Sequence, residues 1–331
     1  MPQETSTSYP LWSSDTFDLS LVVPCFNEER NIPLFFETAA KTFDEAGISY
    51  EIVFVNDGST DGTMRILKDL VESERGKHHI QAIGFSRNFG KESALYAGIQ
   101  EARGACLAFI DADMQQDPAI ALKMYRYLCD HDECDVVAAY QAERREGFML
   151  KLFKQAFYRT FNGVSDDIDI PADMSDFRVF RRDVARALLS MPEYSRFSKG
   201  LFAWVGFNTY AMPYTPNQRH EGQSKWSFKK LFKYAMGGIL SFTTWPLKIA
   251  IWIGGIAALG SLLYLLWVLI VDYLINGIAI PGYPTLVCLI LLFGGFQLLV
   301  LGIIGEYLAR TYIEGKHRPI YIAKERLSTE R

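Results

Sequence analysis

Short apolar runs alternate with amphipathic stretches through the first part of the chain. The apolar runs are rich in the β-branched and aromatic residues that favour strands, and they cover residues 18–23, 50–56, 80–85, 105–110 and 134–139. Helical spacing of apolar residues is found in residues 32–46, 62–74, 91–102 and 118–130. This alternation predicts an α/β domain with a Rossmann-like, mainly parallel sheet and helices on both faces.

Capping residues mark the expected helix boundaries. Asn31 and Asp61 are predicted N-caps of the first two helices, and Pro118 is predicted at the first position of the fourth. Asp117 precedes that proline, and we interpret it as a helix cap, because a carboxylate there can accept hydrogen bonds from the first N–H groups.

Polar loops follow three of the apolar runs, at residues 24–29, 56–63 and 111–117. Because the carboxyl ends of parallel strands meet at one edge of a sheet, these loops are expected to converge. Asp111 and Asp113 stand one residue apart at a strand end, where a hard divalent cation can bridge to a phosphorylated substrate. Asp-x-Asp also occurs as a solvated strand end, so the triplet alone leaves both interpretations open.

Three other nucleotide- or ion-binding motifs are not supported by the sequence. Residues 84–91 imitate a P-loop, but five residues separate the glycines and Glu92 replaces the Ser or Thr that binds magnesium. Residues 57–62 imitate an EF-hand, but Lys68 stands where a glutamate is required. No Gly-x-Gly-x-x-Gly follows a predicted strand, so a dinucleotide oxidoreductase is not indicated.

Composition narrows the class of protein. The 331 residues suffice for one large domain and a smaller part, and the net charge of −4 gives no bulk attraction to nucleic acid. Five scattered cysteines predict free thiols on a reducing cytosolic face. Residues 1–16 lack a signal-peptide pattern and are expected to be a disordered leader.

Two long stretches without charged residues, 249–271 and 273–305, predict transmembrane helices joined by a hairpin turn. A buried helical pair in a soluble protein is the alternative. Basic residues cluster before the first predicted span and after the second, whereas the loop between the spans contains none. They are Lys225, Lys229, Lys230, Lys233 and Lys248 before the pair and Arg310, Lys316, Arg318, Lys324 and Arg326 after it. This distribution predicts a multi-pass protein of the inner (cytoplasmic) membrane with both termini in the cytoplasm. Residues 226–246 mix lysines with aromatic residues, which predicts an amphipathic helix in the headgroup plane.

The ordered series of motifs resembles the inverting family 2 glycosyltransferases with a GT-A-type domain. The series comprises the three polar loops together with residues 84–91, 174–180 and 218–225. Within the family the chain looks most like the polyprenyl-phosphate sugar transferases, especially the bactoprenol glucosyltransferases, which are related to the dolichol-phosphate mannose synthases. The resemblance covers residues 18–320. It implies a catalytic domain over 17–225, an interfacial helix over 226–246, a transmembrane hairpin over 247–307 and a basic cytoplasmic tail over 308–331.

The resemblance also implies roles on the donor side of the site. The nucleotide would be bound by Pro24, Phe26, Glu28, Asp57, Asp111 and Asp113. Asp111, Asp113 and Gln115 would hold Mg²⁺ or Mn²⁺, with Asp113 as the first choice for direct ligation. The cation would neutralise the charge that develops on the leaving nucleoside diphosphate, and this makes Asp113 a catalytic candidate.

On the acceptor side, Asp176 matches the position of a catalytic base. A lipid monophosphate is largely dianionic at pH 7 and scarcely needs a base, so Asp176 could instead orient Arg178, steer sugar hydroxyls, take the last proton or form a structural ion pair. The resemblance further implies that Arg178, Arg219 and Lys225 bind acceptor or donor phosphate. Lys151 and Arg159 are weaker candidates for the same task, since an ordinary basic helix face explains them equally well.

The expected reaction is the transfer of one sugar from a nucleotide diphosphate to polyprenyl phosphate at the cytoplasmic leaflet, with inversion. Glucose from UDP-glucose and undecaprenyl phosphate are the expected substrates; mannose, galactose or aminoarabinose donors stay open. A processive polysaccharide synthase is disfavoured, because only two spans are predicted. A flippase is disfavoured because spans without ionisable residues offer no polar path for a sugar headgroup, and a non-catalytic anchor is disfavoured because the metal-site carboxylates are intact. The expected partners are a nucleotide sugar, the lipid and the membrane, and association of identical chains is left open.

Overall fold

A computed structural model describes residues 17–141, 174–215, 245–267, 270 and 282–330. These residues divide into two compact units. The first contains residues 17–141, 174–215 and 319–330 and is an α/β unit. The second contains the described residues between 245 and 318 and is helical.

Within the described residues, eight strands form one sheet in the α/β unit. They are β1 (Phe17–Cys25), β2 (Tyr50–Asn56), β3 (His79–Phe85), β4 (Gly104–Phe109), β5 (Val136–Gln141), β6 (Met174–Arg181), β7 (Thr209–Tyr214) and β8 (Ala323–Ser328). Their order across the sheet is β7-β5-β6-β4-β1-β2-β3-β8. Four pairings are parallel, whereas β6 and β8 run antiparallel to their neighbours. The predicted mixed α/β architecture is therefore confirmed, with two antiparallel strands that the alternation did not indicate.

Helices cover both faces of the sheet. In the α/β unit they are α1 (Asn31–Ala46), α2 (Thr63–Ser73), α3 (Lys91–Glu101), α4 (Pro118–Asp130), α5 (Arg182–Leu189) and α6 (Ser198–Trp204). One core joins α1, α2 and α4 to the sheet through fully buried side chains such as Phe35 and Phe54. On the opposite face, Phe109, Phe180 and Phe202 pack edge to face, which joins α6 to the sheet.

The capping predictions for α4 are confirmed. The Asp117 carboxylate accepts a hydrogen bond from the Ala119 N–H at 2.9 Å, with Pro118 at the start of α4. The N-cap residue of α2 is Gly62 and not the predicted Asp61, although the Asp61 carboxylate accepts a hydrogen bond from the Thr63 N–H at 3.0 Å. The prediction for Asn31 is wrong: it is the first residue of α1, and its side-chain amide donates to Glu28 at 2.6 Å.

Strand β6 explains how the acceptor-side segment reaches the donor side. Its antiparallel register with β4 places Arg178 opposite Phe109. If this register continues two residues further, Asp176 falls beside Asp111, just past the end of β4. The sheet therefore brings together two carboxylates that are far apart in sequence.

The end of the chain departs from the predicted basic tail over 308–331. Residues 308–314 belong to a helix, and residues 323–328 form β8, which pairs with β3 at the edge of the catalytic sheet. Alternating exposure along β8 puts Leu327 against the core while Lys324 and Arg326 are more exposed. The α/β unit thus consists of segments on both sides of the predicted membrane hairpin, and the expected catalytic boundary at residue 225 is incomplete.

The second unit contains α7 (Trp245–Trp267) and α8 (Tyr283–Glu314). Among the described residues, one helical segment is long and apolar enough to cross a bilayer: Phe293–Glu314, 22 residues with a mean hydropathy of 1.2. Leu247–Ala257 is a shorter apolar segment. The two-span prediction is therefore not confirmed. The end of the first predicted span and the turn, residues 268–269 and 271–281, lie outside the described residues, as do the leader over 1–16 and residues 226–244 of the predicted interfacial helix.

Candidate active site

The loops after β1 and β2 are joined by hydrogen bonds into one polar surface. The Asn27 N–H donates to Ser59 Oγ and the Thr60 N–H donates to Asn27 Oδ1, each at 2.9 Å. Asn27 has a φ of 59°, a left-handed conformation that asparagine tolerates better than most residues. The Glu28 N–H donates to Thr63 Oγ1, and Phe26 is 40% exposed beside it. Predicted nucleotide-binding residues thus lie on a fixed surface at the carboxyl edge of the sheet.

The Asp57 side chain is buried and binds a third loop, the one between β3 and α3. Its carboxylate accepts hydrogen bonds from the N–H groups of Phe89, at 2.6 Å, and Gly90, at 2.9 Å. Gly58, with a φ of 64°, allows this close approach, because a Cβ there would lie 2.3 Å from the backbone carbon of Arg87. Burial raises the pKa of Asp57 above its usual value, although the two N–H donors and Arg87 oppose that effect.

The Asp-x-Asp segment turns sharply after β4. Met114 has a φ of 61°, an uncommon conformation for a non-glycine residue, and this turn lets the Gln115 N–H donate to Asp113 Oδ1 at 3.1 Å. The Asp111 N–H donates to Gln116 Oε1 at 2.9 Å. The fold therefore places Asp111, Asp113 and Gln115 in one turn at the sheet edge.

Lys91 connects the donor side to the acceptor side. Its ammonium lies 2.6 Å from Asp111 Oδ1 and 2.8 Å from Asp111 Oδ2, and 3.9 Å from Asp176 Oδ2. Burial acts to lower the pKa of Lys91, but Asp111 and Asp176 outweigh it and raise the pKa above its usual value. Lys91 thus carries a positive charge between two carboxylates at neutral pH.

Asp176 lies among positive charges. Burial acts to raise its pKa, but Lys199, Lys91 and Arg178 together lower the pKa below its usual value. A carboxylate with a lowered pKa is a weak proton acceptor. Its surroundings therefore suit electrostatic orientation better than general-base chemistry.

Arg178 is not placed as an exposed phosphate ligand. Its side chain is buried, the guanidinium carbon lies 4.4 Å from the centre of the Phe202 ring, and Nε donates to the Ser175 carbonyl at 3.4 Å. The expectation that Arg178 binds phosphate directly takes no account of this burial, which results from its central position in β6 between β4 and β5. In this structure Arg178 supplies charge to Asp176 from within the protein.

The sequence motifs assigned no site role to Lys91, Glu92, Ser198 or Lys199. Glu92, in the first turn of α3, accepts hydrogen bonds from the N–H of Ser198, at 3.1 Å, and from its hydroxyl. Burial, followed by the charge of Asp176, raises the pKa of Glu92. The available signal was the position of Lys91 and Glu92, which directly follow the strand-end loop at residues 84–90 and begin α3.

Four predicted phosphate-binding residues, Lys151, Arg159, Arg219 and Lys225, lie outside the described residues. A cavity of about 430 Å³ lies beside the nucleotide-side loops, between Ser59, Arg65 and Lys324. The lining of this cavity does not include Asp111, Asp113 or Asp176. It therefore adjoins the loop after β2 and not the cluster of carboxylates.

The carboxylates suit a cation that is shared with a substrate. Among the described residues, no group of three or more His, Cys, Asp or Glu side chains is arranged to hold a metal. Mg²⁺ is commonly bound by one or two carboxylates together with substrate phosphates and waters. Asp111 and Asp113 at the sheet edge fit that mode of binding and do not form an independent metal centre.

Comparison with known proteins supports the family. The model for glycosyl transferase family 2 matches residues 20–189. The putative glycosyltransferase CsbB of Bacillus subtilis (strain 168) is 39% identical over 93% of this chain and 91% of its own length. The prophage bactoprenol glucosyl transferase homolog of Escherichia coli (strain K12) and the bactoprenol glucosyl transferase of Shigella phage SfV are each 39% identical over 92% of this chain and 98% of their own length.

Solved structures give a more distant likeness. Glucosyl-3-phosphoglycerate synthase from Mycobacterium tuberculosis, in complex with Mn²⁺, UDP and glucosyl-3-phosphoglycerate, has a TM-score of 0.46 and 15% identity, covering 68% of this chain and 78% of its own. That likeness is too low to carry an argument about chemistry. The resemblance drawn from the motifs is confirmed by the relatives instead: the chain belongs to glycosyl transferase family 2 and is a glycosyltransferase.

Proposed function

We propose that the protein transfers a single sugar from a nucleotide diphosphate sugar to polyprenyl phosphate at the cytoplasmic leaflet, with inversion at the anomeric carbon. UDP-glucose is the proposed donor and undecaprenyl phosphate the proposed acceptor. Relatives named bactoprenol glucosyl transferase, which match more than nine-tenths of the chain, support this choice of sugar and lipid.

One observation carries the proposal: Asp111, which follows β4, and Asp176, which lies in β6, both lie within 4 Å of the Lys91 ammonium. The first belongs to the Asp-x-Asp turn, where a donor diphosphate would lie, and the second belongs to the segment over residues 174–180 that is matched to the acceptor side. A transfer reaction needs both substrates within reach of each other. The meeting of β4 and β6 provides such a place.

Asp111, Asp113 and Gln115 would hold Mg²⁺ or Mn²⁺ together with the donor diphosphate. The cation would supply charge neutralisation for the leaving nucleoside diphosphate. Asp113 is the proposed principal ligand, because Lys91 already pairs with both oxygens of Asp111. Pro24, Phe26 and Glu28 are proposed to contact the nucleotide from the joined loops, and Asp57 acts on the same site by holding residues 89 and 90.

Asp176 is proposed to orient positive charge toward the acceptor phosphate. The acceptor, with a second pKa of about 6, is already a dianion at neutral pH and attacks without prior deprotonation. The lowered pKa of Asp176 suits this role, since its carboxylate stays charged beside Lys91 and Lys199. Arg219, Lys225, Lys151 and Arg159 remain proposed phosphate ligands.

The test is lipid-linked product formation. The purified full chain in detergent is incubated with undecaprenyl phosphate, Mg²⁺ or Mn²⁺ and one of several radiolabelled donors: UDP-glucose, UDP-galactose, GDP-mannose or UDP-aminoarabinose. We expect label in the organic phase with UDP-glucose, and loss of that label when Asp113 is changed to Asn. Asp130→Asn, the same change of charge at an exposed position near the end of α4, is the matched control. Absence of label in the organic phase with every donor would contradict the proposed reaction. Label from a single donor other than UDP-glucose would identify that donor's sugar, and not glucose, as the one transferred.

We also propose a two-span hairpin with both termini in the cytoplasm, because nucleotide sugars are made there. In a cysteine-free background, a cysteine at Asn276 should react with an impermeant thiol reagent in intact cells. A cysteine at Ser13 should react only after the cells are opened. Labelling of Ser13→Cys in sealed cells would overturn this topology.

A further inference from the structure

The two oxygens of Asp111 are both engaged by Lys91, at 2.6 and 2.8 Å. A carboxylate in this state is a poor ligand for a second cation, because the ammonium and a divalent ion compete for the same lone pairs. Gln116 adds to the constraint, since its side-chain oxygen accepts the Asp111 N–H at 2.9 Å. Asp111 is therefore held in an ion pair with Lys91.

The backbone that carries Lys91 is also fixed. Lys91 is the first residue of α3, and Asp57 binds the N–H groups of the two residues before it. Gly90 has a φ of 101°, which allows the chain to turn from the loop into the helix. The Lys91 side chain therefore starts from a defined point, and its ammonium can move between neighbouring anions without movement of the helix.

We propose that Lys91 makes cation binding depend on the donor: it occupies Asp111 in the free enzyme and releases it when the nucleotide diphosphate arrives. The inference rests on the proposed cation site at Asp111 and Asp113. A diphosphate offers Lys91 new anionic partners, and Asp176, at 3.9 Å, offers another. The cation and the donor therefore enter together, which avoids a metal-loaded enzyme without substrate.

The proposal is tested by Mn²⁺ binding to the full chain, where free Mn²⁺ is measured from its electron paramagnetic resonance signal with and without UDP. For the wild type we expect weak binding alone and tighter binding with UDP. Lys91→Met removes the competing charge at nearly constant length, so its affinity for Mn²⁺ without UDP should rise on the order of tenfold, a value reduced for the partial exposure of the pair. The gain caused by UDP should shrink in the same variant.

Two control variants separate charge from structure. Lys91→Arg keeps the charge and should keep weak binding of Mn²⁺ alone. Lys41→Met removes an exposed lysine from α1 and should behave as the wild type. If the methionine variant melts early, Lys91→Gln removes the charge with a polar side chain and is measured in its place.

The measurements test the role of Lys91 and the presence of the cation site separately. Wild-type affinity for Mn²⁺ alone in the uncharged Lys91 variants, or tight binding in Lys91→Arg, would overturn the role of Lys91. Absence of Mn²⁺ binding by the wild type even with UDP would overturn the cation site itself. Because product formation is not measured here, failure of the proposed sugar transfer remains a separate result.

Discussion

Removal of the Asp57 carboxylate should loosen the loop that leads into α3. Asp57 is 4% exposed and accepts hydrogen bonds from the Phe89 and Gly90 N–H groups. A hydrogen bond to a charged group contributes about 1.5–3 kcal/mol to stability. Burial raises the pKa of Asp57, which shows that burying its charge has a cost, so we take the lower value for each bond. Asp57→Ala should then lower the free energy of unfolding by about 3 kcal/mol.

A loss of this size corresponds to a fall in melting temperature of roughly 6–12 °C for a unit of 150–250 residues. Intrinsic fluorescence during heating of the full chain in detergent measures it. Asp57→Asn keeps one acceptor oxygen and should show a smaller fall. Glu37→Ala, on the exposed face of α1, is the control for loss of an acidic side chain.

The same variant tests the link to the site. Because Asp57 fixes the residue before Lys91, Asp57→Ala should also raise the KM for the nucleotide sugar at temperatures where the variant is folded. A melting temperature equal to that of the wild type would refute the hydrogen-bond argument. A large fall in melting temperature with an unchanged KM would show that Asp57 contributes to stability and not to binding of the nucleotide sugar.

Three further predictions concern packing, charge and helix contacts. Gly98→Ala should lower the free energy of unfolding by about 1–3 kcal/mol, because its Cβ would lie 2.2 Å from Val22 Cγ1, and Val22→Ala in the same chain should recover part of the loss in a thermal unfolding assay. Asp176→Asn should lower the rate of sugar transfer by the same factor from about pH 6 to 9, because a lowered pKa keeps this carboxylate charged over that range. A loss of rate that shrinks with rising pH would assign proton transfer to Asp176 instead. The stability that ionised Asp176 contributes is present above its unfolded pKa and lost only as pH falls through the lower folded pKa. Ser198→Ala should destabilise the wild type by about 1 kcal/mol but have no effect in a Glu92→Ala background, as measured by a double-mutant cycle of melting curves.

Local patterns were enough to predict the first five strands and the first four helices. Each is encoded by its own residues: an apolar run for a buried strand, an amphipathic spacing for a helix, and a cap such as Asp117 at a boundary. The same patterns placed the loops that contain Asp57, Asp111 and Asp113 at one edge, because parallel strands impose that arrangement.

Contacts between distant segments could not be predicted in this way. The pairing of β6 with β4 depends on antiparallel register, and that register decides both that Arg178 is buried and that Asp176 reaches Lys91. Lys91 itself gave no periodic signal, since its importance comes from two carboxylates in other segments of the chain. The role of such a residue is set by tertiary geometry, which single-sequence patterns do not contain.

Strand β8 has a consequence for how the protein is made. It pairs with β3 but follows the helical unit in the chain. Gln81 in β3 can therefore pair with Ser328 in β8 only after that unit has been synthesised. Until then β3 presents an open edge, and an unpaired edge strand is a site for wrong pairing and aggregation. Pairing of β8 with β3 closes that edge only after the helical unit has been synthesised. Completion of the sheet is therefore coupled to synthesis of the preceding helical unit, and loss of β8 should appear first as aggregation through β3.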